Sequence, residues 1–216
     1  IFWDPQGHLE RGIDFATQIG GILQALKEAR SQNGISYRLI MSFLRHLPED
    51  SAYETLELAK PYLDEIYGVG LDSSEMGHPP EKFQGVFAAC RDLGLKITAH
   101  AGEEGPADYV WQALDLLQVD RVDHGNRSLE DDALIERLRD SQMVLTVCPL
   151  SNLKLQVVKD LTDHPIPAML QAGLKATINS DDPAYFGGYM NENLIQLQQA
   201  VGLSADDIIT LTRNSI

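Results

Sequence analysis

Five places in the chain put polar, chemically capable side chains directly after short apolar runs. His100 ends "LKITAH", and Glu103 follows three residues later. Asp123 and His124 end the run begun by Arg121-Val122, and Cys148 ends "MVLTVC". Asp72, Ser73, Ser74 and Glu75 follow "YGVGL", and Ser180, Asp181 and Asp182 follow "ATIN". His100 and Asp181 offer a nitrogen and an oxygen donor suited to a divalent metal, zinc before others. Two protein ligands are fewer than the three or so that a catalytic zinc takes, so other ligands are expected from outside these runs. Glu103 is placed to carry protons near a metal water or a substrate. His124 is a second acid–base group or a positive stabiliser. A metal lowers the pKa of its water toward neutrality, so this set suits hydrolytic attack at an electrophilic carbon. Because successive strand side chains alternate in direction, one of the adjacent aspartates can meet a metal while Asp182 accepts a hydrogen bond from a substrate N–H. Singly, each of these has an ordinary alternative. Asp-Asp-Pro is common turn punctuation, an HxxE pair arises by chance, and a histidine at a strand end is commonly structural. Five such ends in order argue for a shared site.

The elements that would hold these ends are buried parallel strands. "IFW", "YRLIMSFL", "EIYGVGL", "LKITAH", "RVDHG", "MVLTVC" and "KATINS" are short, mostly rich in Val, Ile, Leu and Thr, and apolar on both faces. Helical patterns separate them. "PEKFQGVFAACRDLG" opens on Pro80 and stops at Gly94. "DYVWQALDLL" and "DDALIERLRDS" repeat the spacing, and Ser204 stands three before Asp207 in capping-box form. Strict alternation of strand and helix predicts an α/β fold, a (β/α)8 TIM barrel whose catalytic mouth lies at the carboxyl ends of the strands. An open doubly wound sheet is second, because no glycine-rich phosphate fingerprint follows a strand. Residues 1–216 read as a single domain. The half-strand at the start and the helical pattern "LTRNSI" at the end read as a segment lacking the first barrel strand and the C-terminal end.

Composition narrows the partners. The net charge of −15 is spread along 216 residues, which opposes binding to a nucleic-acid backbone. No apolar run is long enough for a bilayer, and no secretory signal is visible. The same charge is compatible with a small neutral or cationic ligand, and two cysteines make no disulfide framework, so a reducing cytoplasm is expected. The remaining candidates read as structural. His8 and His46 lack partners at useful spacing, His164 before Pro165 reads as a turn, and Cys148 reads as packing. Residues 130–132 read as a solvated first helical turn, and His78 as part of a loop over the mouth.

The blocks "HAGEEG" (100–105), "DHGNRSLEDD" (123–132), "CPLSN" (148–152) and "NSDDPAYFGG" (179–188), in this order and spacing, resemble the adenosine/adenine deaminase family. The resemblance implies a zinc-dependent TIM barrel that hydrolyses the 6-amino group of a purine. It implies that His100 and Asp181 are metal ligands, that Glu103 gives a proton to purine N1, and that His124 orients or deprotonates the attacking water. Asp182 would bind N7. "GLDSSEMGHPPEKF" and "DDPAYFGGY" look like the adenine deaminase branch, with Ser73 and Glu75 in the loop that meets the substrate. The expected reaction is adenine to hypoxanthine and ammonia. Alternatives are an adenosine or other aminopurine nucleoside deaminase and a non-catalytic purine binder. A hydrolase of cyclic amides or phosphoesters is outside the family; it would want a bridging lysine, and none stands at a strand end. The family's HxH pair of metal ligands on its first strand has no counterpart in this sequence.

Overall fold

The computed structural model describes residues 1–215. Its contacts group into two compact units: residues 1–99 with 112–120, and residues 100–111 with 121–216.

In the first unit, β1 (Phe2–Trp3), β2 (Ile40–Leu44), β3 (Gly68–Asp72) and β4 (Lys96–Ala101, of which the first four residues belong here) pair in parallel and in chain order. α1 (Pro5–Leu9) and α2 (Phe15–Asn33) connect the first two strands, α3 (Glu49–Ala59) the second and third, and α4 (Gln84–Asp92) the third and fourth. The expected burial of both strand faces holds, since all five residues of β3 are buried. Met41, Phe43, Val69, Leu71 and Ile97 form the strand side of the core, and Phe87 of α4 meets Phe43 edge-on at 5.8 Å. The strands begin later than the apolar runs. β2 starts at Ile40 rather than Tyr37, and β3 at Gly68 rather than Glu65. A short 3-10 turn, Lys60–Glu65, takes the first residue of that run, and Ile66 and Tyr67 link it to β3. Gly68 is required where it stands, because a Cβ there would lie 2.6 Å from the Lys96 carbonyl oxygen on the neighbouring strand.

The second unit begins with the last two residues of β4 and continues through α5 (Ala107–Gln112, of which the first five residues belong here) and β5 (Arg121–His124). α6 (Asp132–Ser141), β6 (Val144–Val147), α7 (Pro149–Lys154), α8 (Ile166–Gln171) and β7 (Lys175–Ile178) follow, then α9 (Pro183–Phe186), α10 (Met190–Val201) and α11 (Ala205–Arg213). β5, β6 and β7 are again parallel and in chain order. Val122, Leu145, Val147, Ala176 and Ile178 on the strands, and Leu134 and Leu138 of α6, are its buried core. The capping box foreseen at Ser204 is present, with the Asp207 amide donating to Ser204 Oγ and the Ser204 amide to Asp207 Oδ2. α11 ends at Arg213, so the final residues do not continue the helix as their pattern predicted; Ile216 lies outside the described residues.

The acidic stretch 130–132 does more than solvate a helix end. Asp131 is the N-cap of α6, accepting from the amides of Ala133 and Leu134, and its Oδ2 accepts from the Trp111 indole at 2.9 Å. The indole bond, followed by the cap bonds, lowers the Asp131 pKa. Among the described residues no helix is long and apolar enough to cross a membrane.

Candidate active site

The second unit gathers four of the predicted site residues, each at or just beyond the carboxyl end of a strand. His100 is the penultimate residue of β4, Glu103 lies just beyond that strand, His124 ends β5, and Asp181 comes three residues after β7. Two backbone bonds draw the first two ends together. The Gly125 amide donates to the Ala101 carbonyl at 3.1 Å, and the Arg127 amide to the Gly102 carbonyl at 2.8 Å. Glycine is needed at 102. Its φ is 70°, and a Cβ would stand 2.7 Å from Val110 Cγ2.

The consequences for the side chains are direct. The His100 and His124 rings have centroids 4.6 Å apart. Nδ1 of His124 lies 3.2 Å from Oε1 of Glu103, both groups being largely buried. His124, Cys148 and Asp181 each bring a potential ligand atom to within 4.8 Å of the others. His124 and Asp181 also carry positive φ values, 66° and 52°. Left-handed backbone at non-glycine residues is uncommon and gathers where surrounding structure imposes it, often at functional sites. Asp181 thereby leaves the strand direction. The simple alternation of strand side chains is therefore not what separates it from Asp182. Asp182 is exposed, and its carbonyl accepts from the amides of Tyr185 and Phe186 as α9 begins.

Cys148, read from sequence as packing, lines this group. Burial raises its thiol pKa well above the usual value, and the carboxylates of Asp181, Glu103 and Asp123 add to the rise. Burial, the larger cause, opposes charge of either sign, whereas the carboxylates that add to the rise favour a cation. An imidazole and a carboxylate, those of His100 and Asp181, are donors whose chemistry fits zinc, with the thiol neutral nearby. Cys90 lies in the first unit, where burial pushes its pKa up to about 12. Both thiols should therefore resist an aromatic disulfide reagent at neutral pH in the folded protein and react in denaturant; rapid reaction of either without denaturant would contradict their protonated, buried state.

Residues that sequence reasoning passed over hold Glu103 in place. Asn152 of α7 donates from Nδ2 to Glu103 Oε1 at 2.9 Å. Asn126 Nδ2 donates to Asn152 Oδ1 at 2.8 Å, and His164 Nε2 approaches the same oxygen at 3.4 Å. Both asparagines lie inside motifs that were visible, "HGN" and "PLSN", but their amides announce no chemistry. His164 does end a turn, as expected, yet its side chain is buried, and burial lowers its pKa to about 4 from an ordinary 6.5. An unfolded His164 takes its proton first as pH falls. Its contribution to stability is complete above about pH 6.5 and disappears as pH falls toward 4. Between pH 7.5 and 5 this removes about 2 kcal/mol. Urea unfolding at the two pH values should show a shallower loss for His164→Gln than for the parent, and equal losses would exclude His164 as the source.

Asp123 is a structural acid at this end of β5. Its Oδ1 accepts from Thr146 Oγ1 at 2.7 Å and from Arg121 Nε at 3.0 Å.

The remaining predicted residues belong to the first unit. Ser73 has φ 75°, and its hydroxyl pairs with His46 Nδ1 at 2.8 Å, so His46 has a partner that spacing alone did not reveal. Glu75 is buried, and its carbonyl accepts from the His78 amide. His78 passes its own carbonyl to Arg45 Nε, a fully buried guanidinium. His8 pairs with Arg11 at 2.7 Å.

Comparison with known proteins agrees with the fold and the residue pattern. A sequence profile described as adenosine deaminase matches residues 1–216. The adenine deaminase of Marinomonas sp. (strain MWYL1) is 62% identical over the whole chain, which covers 64% of that protein. The adenine deaminase of Sphingopyxis alaskensis is 63% identical, with 63% of it covered. The chain thus spans just under two thirds of the length of these relatives. Among solved structures, adenine deaminase from Arthrobacter aurescens superposes over 100% of this chain and 66% of its own, with a TM-score of 0.97 and 47% identity. An amidohydrolase from Burkholderia ambifaria, solved with bound Zn, matches with a TM-score of 0.91 and 32% identity over 99% of this chain and 60% of its own. The fold class is α/β, that of the TIM-barrel amidohydrolases, as the alternation of strands and helices predicted. On the full-length profile match and these identities, the chain belongs to the adenosine deaminase family.

Proposed function

We propose that the protein hydrolyses the 6-amino group of adenine, giving hypoxanthine and ammonia. The observation that carries this reading is the contact of Glu103 with His124, within reach of Asp181. A proton carrier, a second acid–base group and a metal-type donor thus converge in one unit. The preference for the free base is supported by relatives 55% to 63% identical that are named adenine deaminases.

His100 and Asp181 would hold a divalent cation, zinc first, with further ligands from outside the described groups. When bound, the cation supplies Lewis acidity that makes hydroxide available near neutral pH. Glu103 gives a proton to purine N1 as oxygen adds to C6, which removes electron density from the ring. His124 takes the proton of the attacking water, then returns one to the leaving amine as the C6–N bond breaks. Its Nδ1 faces Glu103, so we assign the water proton to Nε2. Asp182 is assigned to purine N7. The substrate is a small molecule. The charge of −15 argues against a nucleic-acid partner, and the lack of a spanning helix among the described residues gives no support to a membrane role. The two free cysteines suit a reducing compartment, so we place the protein in the cytoplasm.

The test is product formation by the full-length, zinc-loaded protein. Adenine should yield equimolar ammonia and hypoxanthine, at a higher kcat/KM than adenosine. Faster turnover of adenosine would move the reading to a nucleoside deaminase, and no ammonia from any aminopurine would leave a purine binder.

A further inference from the structure

We propose that Asn152, clamped by His164 and Asn126, is a positioning residue that aims the Glu103 carboxyl at its substrate. The inference rests on the reading above in assigning Glu103 to proton transfer. Its basis is an over-determined side chain. Asn152 is fully buried, and every polar group it owns is engaged. Its amide donates to the Cys148 carbonyl at 2.9 Å, and its carbonyl accepts from the amides of Val157 at 2.9 Å and Val158 at 3.2 Å. The backbone is thus anchored on both sides of the α7 end.

The direction of the side-chain amide is decided by its neighbours. Two donors point at Oδ1: Asn126 Nδ2 and His164 Nε2. His164 can donate there only as the Nε2–H tautomer. That tautomer is set by the Ile166 amide, which donates to Nδ1 at 3.3 Å and so requires its lone pair. With Oδ1 accepting from two groups, Nδ2 must be the end that faces Glu103. Reversing the amide would set oxygen against a carboxylate oxygen and two donors against a third. The order Ile166 amide, His164, Asn152, Glu103 therefore carries hydrogen-bond direction from the start of α8 to the acid. Asn152 and His124 both meet Oε1 of Glu103, and we assign the proton delivered to the purine to Oε2. A general acid works only within hydrogen-bond reach of its target, so a loosened carboxyl costs turnover more than binding.

The two nitrogens of His164 can be tested separately. Asparagine places an oxygen near the Nδ1 position and keeps the acceptor for Ile166; glutamine places an NH2 near Nε2 and keeps the donor to Asn152. In the full-length, zinc-loaded protein, His164→Asn and Asn152→Asp should lower kcat for adenine by about ten- to a hundredfold. The KM and the zinc bound per chain should stay near the parent's. His164→Gln should restore most of kcat. A crystal structure of Asn152→Asp should show Glu103 turned from its parental position. Equal losses in the asparagine and glutamine variants would overturn the proposal, because they would mark His164 as packing alone. Parental kcat in Asn152→Asp would overturn it as well. Should Asn152→Asp fail to fold, the His164 pair decides. If the unmutated protein releases no ammonia from adenine, the functional reading fails by itself. The crystallographic position of Glu103 then judges the clamp: displaced in the variant supports it, unmoved overturns it.

Discussion

Glu103→Gln should bind zinc as the parent does and deaminate adenine about 10²- to 10⁴-fold more slowly, the range expected when a positioned general acid is removed. The substitution isolates the proton. Glutamine has nearly the same shape, and its carbonyl can stand where Oε1 stands, still accepting from Asn152 Nδ2. The neighbours need not move, and the carboxyl OH is replaced by an amide NH2 that cannot give up a proton at the pH of the reaction. Because Glu103 is assigned to N1 rather than to the metal, its removal should leave metal content unchanged. Ammonia release and zinc per chain, measured on the same preparation, separate the two roles. A rate near the parent's would remove Glu103 from the mechanism, and lost zinc with lost rate would make it a ligand instead.

Asp181→Asn should lose bound metal, with affinity falling at least about tenfold, since even changes to groups behind a ligand cost that much. Asparagine is the informative replacement. Asp181 has φ 52°, a conformation that asparagine tolerates, whereas alanine would add backbone strain to the loss of charge. The variant removes a negative charge from a group of donors that includes His124 and Cys148. Anything bound only by the folded state stabilises it, so chelation should lower the Tm of the parent and leave that of Asp181→Asn almost unchanged. Full zinc occupancy in the variant would show that the metal is held elsewhere.

These expectations were partly legible before any coordinates. The seven strand runs reappeared as seven parallel strands because their residues are apolar on both faces, a pattern that only burial on two sides rewards. Strand starts were less legible. Tyr37 and Glu65 extend their runs in sequence, yet β2 and β3 begin at Ile40 and Gly68, where pairing with a neighbouring strand begins. His100, Glu103, His124 and Asp181 could be selected because imidazoles and carboxylates at strand ends have few ordinary uses in common.

The sequence alone determined the alternation of strand and helix, the Ser204 cap, and the set of residues able to exchange protons or meet a cation. Each depends on local order, on the period of apolar residues or on the chemistry of one side chain. The tertiary structure alone decided that His164 is buried and neutral, that Cys148 faces the donor group, and that Asn126 and Asn152 serve Glu103. An amide or a histidine takes its meaning from the group across from it. Here those groups lie 12 to 49 residues away, brought together by the folding of separate strands onto shared loops.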